Sequence, residues 1–273
     1  MSEDMRASGG GERRPAGDRP AKARATGTGP RPLADPPYVS QWGDPACNVA
    51  WLVRGEDPAA IHDWRADGYA DADAYRLWSR STCGLACLEG IIRAELADDP
   101  GRWPAHASAE AWLPGDPKWK LIRRAIDHDV LVPRENGEID GLYYAPFVTW
   151  VAADYGLEAI SRPDLPLDEV VARVASGAWY AMLSVSFEIR LAPEPPTHTG
   201  GHLVLAHRAT RASTACGRMT PARIVINNSS GVPAGADDPT RPDSALDVPY
   251  ALNELTPYYA GRGILVRRGS AGA

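Results

Sequence analysis

Four short segments in the last third of the chain are rich in β-branched or aromatic residues: 178–187 (AWYAMLSVSF), 201–211 (GHLVLAHRATR), 222–231 (ARIVINNSSG) and 261–269 (GRGILVRRG). Gly, Pro, Asn and Ser bound them, so they predict strands. Ahead of them, 56–68, 71–80, 117–129 and 166–177 repeat apolar residues every three or four positions, often after an acidic opening. That is helical spacing. Helices first and strands later predict an α+β fold, with a helical N-terminal half packed on a mostly antiparallel sheet. The loops at 190–200 and 230–249 are long and polar, of the kind that walls a cleft.

The first 36 residues carry Gly, Pro, Arg and Ala but almost no large apolar side chain, and predict a disordered tail at 1–36. The remaining 37–273 suffice for a single domain with a sizeable core. A net charge of −6 argues against a nucleic-acid partner, which requires a basic footprint. No window approaches the roughly 18 to 20 apolar residues of a membrane span, and the start lacks the apolar stretch of a secretory signal. The expected location is the cytoplasm, without a membrane partner.

The chemistry centres on STCGLACLEGII, residues 81–92. Ser81 or Thr82 would cap a helix whose first turn contains Cys83, with Leu85, Leu88, Ile92 and Leu96 as its buried stripe. A thiol at a helix start favours the thiolate, the form that acts as nucleophile. Gly84 leaves room for a close approach. Four cysteines, at 47, 83, 87 and 216, do not form a secreted disulfide framework. Zinc lacks a second ligand pair at suitable spacing, and the three-residue gap between Cys83 and Cys87 is not that of a redox dithiol. Cys87 reads as a core residue, and a buried, inert Cys83 is the alternative to a reactive one.

A nucleophilic thiol needs an imidazole and an oxygen to orient it. His62, His106 and His128 have charged neighbours and read as solvent-exposed, and His198 falls in a Pro-rich loop. His202 opens a strand at the edge of a sheet, where a cleft residue is presented; His207 is at the far end of that strand. Asn227 and Asn228 end the next strand, and alternation lets only one of them reach the imidazole. Plain turn chemistry is the bland explanation of this pair.

The same words resemble a known family. CGLACLEGII resembles the Cys segment of the C39-like cysteine peptidases, relatives of the double-glycine leader peptidases, and GGHLVLAHR resembles their His strand. PPYVSQW, NNSSG and YYAGRGILV resemble their opening, their Asn turn and their closing stretch. The resemblance implies a papain-like fold and a cysteine-dependent hydrolase of a peptide or amide substrate, with no cofactor. Carried over, it implies Cys83 as nucleophile, His202 as general base and acid, Asn228 as orienter and Gln41 as oxyanion-hole donor. Gln41 is the only glutamine in the chain. It is separated from Cys83 by a helical insertion at about 48–79 that contains Trp51, Trp64 and Trp78, so its reach to the site requires a self-contained excursion. NSSG in place of the family's NPSG leaves the choice between the two asparagines open. The same residues suit acyl transfer to an amine, or a binding domain that kept only the fold. Tyr143, Tyr144, Trp179 and Tyr180 are candidates to line a cleft or to fill the core, and the acidic loop 235–243 to steer a cationic peptide.

Overall fold

The computed structural model describes residues 32–98, 100, 107–190, 196–215, 218–231, 240–241 and 244–269. Most of the expected tail, together with His106, Cys216 and much of the two long loops, lies outside these residues. Residues 32–36, grouped with the tail on composition, are held by backbone contacts. Leu33 donates its N–H to Gly177 O at 2.8 Å, and Ala34 O accepts from the Tyr180 hydroxyl at 2.6 Å.

The chain is a mixed α+β structure. Helices α1 (Ala46–Arg54), α2 (Ala72–Ser81), α3 (Cys83–Asp98) and α4 (Lys118–Asp127) come first. A two-residue pairing of β1 (Val132–Pro133) with β2 (Ile139–Asp140) leads to α5 (Tyr144–Tyr155), β3 (Leu157–Arg162) and α6 (Leu167–Val174). Then follow β4 (Tyr180–Ser186), β5 (Gly201–Thr210), a small ribbon of β6 (Ser213–Ala215) and β7 (Arg218–Thr220), and β8 (Arg223–Asn227). The final elements are β9 (Val248–Ala251), α7 (Leu252–Leu255) and β10 (Tyr259–Arg268).

One six-stranded sheet, ordered β3-β10-β4-β5-β8-β9, is antiparallel throughout. Its central strands alternate between two buried faces, which explains why they read as continuous apolar runs. Tyr180 and Met182 of β4, Leu203 and Leu205 of β5, and Ile264 and Val266 of β10 meet the cluster that holds Leu85, Leu88, Ile91 and Ile92 of α3. Ala181, Leu183, Val185, Val204, Ala206 and Leu265 face a second cluster, formed with Val170, Val171 and Val174 of α6. This two-sided burial follows from the period of two in the strands.

The structure corrects several expectations. Residues 56–68 form one short 3-10 turn at Pro58–Ala60 rather than a helix: Asp57 caps that turn by accepting from Ala59 N, and Trp64 is buried from an irregular segment beyond it. Strands β3 and β9 and helix α5 were not anticipated, and α1 opens the helical insertion expected at about 48–79. Trp179 and Tyr180 are core residues, at 5% and 1% exposure. The region between Gln41 and Cys83 does contain two helices, with a small aromatic core. Trp42 packs edge-on against Trp51 at 5.1 Å and Tyr75 at 5.8 Å, and the Tyr75 hydroxyl donates to Trp42 O at 2.9 Å. Such pairs contribute about 0.5 to 1.5 kcal/mol each beyond their burial.

Candidate functional site

Cys83 is the first residue of α3, directly after a break at Thr82 that separates α3 from α2. The Thr82 carbonyl accepts the Ala86 N–H at 2.9 Å, which makes Thr82 the residue at the helix entrance. Its hydroxyl does not cap. It donates to Ser79 O at 3.2 Å and to Gln41 O at 3.4 Å.

The Cys83 thiol meets the opening of β5. The Leu203 N–H donates to Cys83 Sγ at 3.4 Å, so the sulfur rests on the residue after His202. The α3 backbone approaches closely there because residue 84 is glycine. A Cβ on Gly84 would lie 2.5 Å from Leu142 Cδ1 and 2.9 Å from Leu203 Cδ1. His202 is the second residue of β5, at the start of an interior strand that lies between β4 and β8. Gly200 and Gly201, at φ of +86° and +88°, form the turn that leads into it.

His202 Nε2 lies 2.8 Å from Asn228 Oδ1 and 3.0 Å from Ser230 Oγ. The Asn228 oxygen also takes the Ser230 N–H at 3.2 Å, an Asx turn that fixes which end of the amide faces the ring. The Asn228 and Ser230 contacts are both on Nε2 of the ring. Asn227 is occupied elsewhere: its amide donates to Pro36 O at 3.2 Å and its oxygen accepts Asp247 N–H at 2.9 Å. The two asparagines therefore separate into one on the imidazole and one on structure.

Gln41 joins both walls of this arrangement. Its N–H donates to Ser229 O at 2.9 Å, beside Asn228, and its carbonyl takes the Thr82 hydroxyl, beside Cys83. Gln41 is 2% exposed, and among the described residues its Oε1 has no hydrogen-bond partner. Behind it, Tyr38 donates to Asn228 O at 2.9 Å and receives the Asn48 amide at 2.8 Å. Burial keeps the Tyr38 phenol un-ionised. Asn48 was not singled out in the sequence; Thr82 was read only as a helix cap, and Tyr38 and Ser230 were legible only as parts of PPYVSQW and NNSSG.

No family model matches the chain. No curated protein matches it either.

Charge sharpens the contrast among the thiols. Burial, reinforced by negative charge on Cys83, holds the Cys87 thiol well above its usual range. Cys47 is pushed up to about 11, chiefly by burial, with the Asp44 charge adding to it. Cys83 is half-buried, whereas His202, Asn228 and Gln41 are buried. Among the described residues, no group of three His, Cys, Asp or Glu side chains is placed to hold a metal ion, and no helix is long and apolar enough to cross a membrane.

His62, His128 and His207 are engaged in other contacts. His62 is half-buried rather than solvent-exposed, with Nε2 2.6 Å from Asp67, and it stacks on Tyr75. His128, also half-buried, stacks on Trp150. His207, at the far end of β5, has Asp35 and Asp247 on its two ring nitrogens. A surface depression lined by Pro117, Trp119, Lys120 and Arg123 contains none of the four predicted residues. What the four form is a buried imidazole held by a side-chain oxygen, a partly accessible thiol at a helix start, and a buried glutamine whose backbone is bonded to the residues next to Asn228 and Cys83.

Proposed function

We propose that the protein is a cysteine-dependent hydrolase that cleaves a peptide or amide bond through a thioester acyl-enzyme, on a papain-like fold similar to that of the C39-like peptidases. The observation that carries this reading is the meeting of three remote segments. The Leu203 N–H is on Cys83 Sγ while the neighbouring His202 has Nε2 2.8 Å from Asn228 Oδ1.

In this reading the position at the α3 N-terminus favours the Cys83 thiolate. The thiolate adds to the substrate carbonyl, and the oxyanion that forms is met by the Cys83 backbone N–H and the Gln41 side-chain amide. As the C–N bond breaks, the imidazolium of His202 passes its proton to the leaving amine. His202 then takes a proton from water, whose oxygen attacks the thioester and releases the acid and the free thiol. Asn228 holds the ring in the orientation that both transfers need.

Acyl-enzyme formation tests the reading. Wild type and Cys83→Ser are mixed with a p-nitrophenyl ester of an N-acyl amino acid and followed by intact and peptide mass spectrometry. The expected result is one acyl group on Cys83 at early times, then its loss by hydrolysis, and neither in the variant. Acylation spread over lysines and unchanged in Cys83→Ser contradicts it.

A further inference from the structure

The register of β10 against β4 shifts between Tyr259 and Gly263, and Arg262 stands in that irregularity. Its guanidinium lies toward the end of the sheet where β5 begins. A Cβ on Gly200 would be 3.2 Å from Arg262 Nη2 and 3.6 Å from Ser184 Oγ. Ser184 is the partner of Leu203 in the β4–β5 register, and Leu203 is the residue whose N–H reaches the Cys83 sulfur. Tyr144 belongs to the same patch: it is half-buried and within electrostatic reach of both Arg262 and Cys83. Burial raises the Tyr144 pKa, so it stands beside Arg262 as a neutral hydroxyl and does not cancel the positive charge.

Arg262 differs from its strand neighbours in what it meets. Arg267 is paired with Glu158, and Arg268 with Glu95 and Asp98. Arg262 is exposed and has no carboxylate partner among the described residues. An exposed arginine at the turn that leads into His202 and Leu203, with no carboxylate partner among the described residues, suits a substrate carboxylate.

We infer that Arg262 is a substrate-binding residue that receives an anionic group next to the scissile bond, so that the substrates are acidic peptides or amides bearing a carboxylate there. The inference rests on the thiol-acylation reading above and deepens it. It runs against the net charge of −6, which by itself would favour a cationic substrate.

The test compares two alkylating reagents that differ by one carboxylate. Cys83 is alkylated with iodoacetate or with iodoacetamide in wild type, Arg262→Gln, Arg262→Lys and Tyr144→Phe, and the ratio of the two rates is read by peptide mass spectrometry. The iodoacetate to iodoacetamide ratio should fall about three- to tenfold in Arg262→Gln and be largely kept in Arg262→Lys and Tyr144→Phe. In wild type the ratio should also fall as salt is raised. A residue that merely propped up the site would slow both reagents together and leave the ratio alone. An unchanged ratio in Arg262→Gln, or a wild-type ratio indifferent to salt, overturns the inference. Failure of the acylation reading is separate: it shows in the neutral reagent, as a Cys83 rate that does not depend on His202.

Discussion

The Thr82 hydroxyl donates to the Gln41 carbonyl at 3.4 Å across a separation of 41 positions in the chain. The excursion through α1 and α2 therefore leaves and returns at one point, and its own Trp and Tyr side chains fill it. A glutamine remote in sequence is thereby placed against the residue that precedes the thiol. Gln41→Ala should slow acylation of Cys83 by an activated ester about 100-fold, measured as the burst of nitrophenolate in a stopped-flow instrument. Its iodoacetamide rate should stay within about twofold of wild type, because alkylation develops no oxyanion.

The two adjacent asparagines should separate in their effects. Asn228→Ala releases the His202 ring and should lower the acylation rate by at least about tenfold, with thermal stability less affected. Asn227→Ala removes two buried hydrogen bonds, to Pro36 and Asp247, and should cost about 1 to 3 kcal/mol in urea denaturation while leaving the pH profile of the thiol in place. Equal effects of both variants on reactivity would contradict the division.

How much of this was legible follows from what each residue signals locally. The four strands were visible because two-sided burial writes a run of apolar residues between turn formers. Cys83 and His202 were visible because a helix entrance and a strand start are local features. The choice of Asn228 was not, because it depends on the Asx turn to Ser230 and on the Pro36 and Asp247 contacts that occupy Asn227. Strand β3 was missed because its alternation is broken: LEAISR exposes Ile160 on an edge. Residues 56–68 looked helical because periodicity cannot see that Asp57 turns the chain back on itself. Arg262 was legible only as part of YYAGRGILV and not as a site residue, since its place is set by a strand irregularity and by Gly200, more than sixty positions earlier.

His207 should make stability depend on pH. Its ring is buried between Asp35 and Asp247, with Arg208 alongside, and burial lowers its pKa more than the two carboxylates raise it. The unfolded chain then binds the proton more readily than the folded one, so stability is lost as pH falls through the unfolded value near 6.5. The loss should approach about 1.4 kcal/mol per pH unit where only the unfolded state is protonated. Urea midpoints of wild type and His207→Gln between pH 5 and 8 should converge on acidification, with the variant showing the flatter profile. Parallel profiles would contradict this.

Gly263 should tolerate no side chain. A Cβ there would lie 2.4 Å from the Met182 carbonyl oxygen, a backbone atom of the neighbouring strand that cannot move without breaking the β4–β10 ladder. Gly263→Ala should destabilise by about 1 to 3 kcal/mol, read as a lower Tm, with Gly261→Ala as a control for nearby strain.

The central claim is that Cys83 and His202 act as a pair. Its most direct measurement is the rate of iodoacetamide alkylation at each described cysteine at pH 6, by peptide mass spectrometry, in wild type and His202→Ala. The account predicts that Cys83 reacts far ahead of Cys47 and Cys87, whose thiols burial holds un-ionised, and that His202→Ala slows Cys83 about tenfold or more. A Cys83 no more reactive than the others, or equally reactive without His202, would contradict it and turn the search from substrates to binding partners.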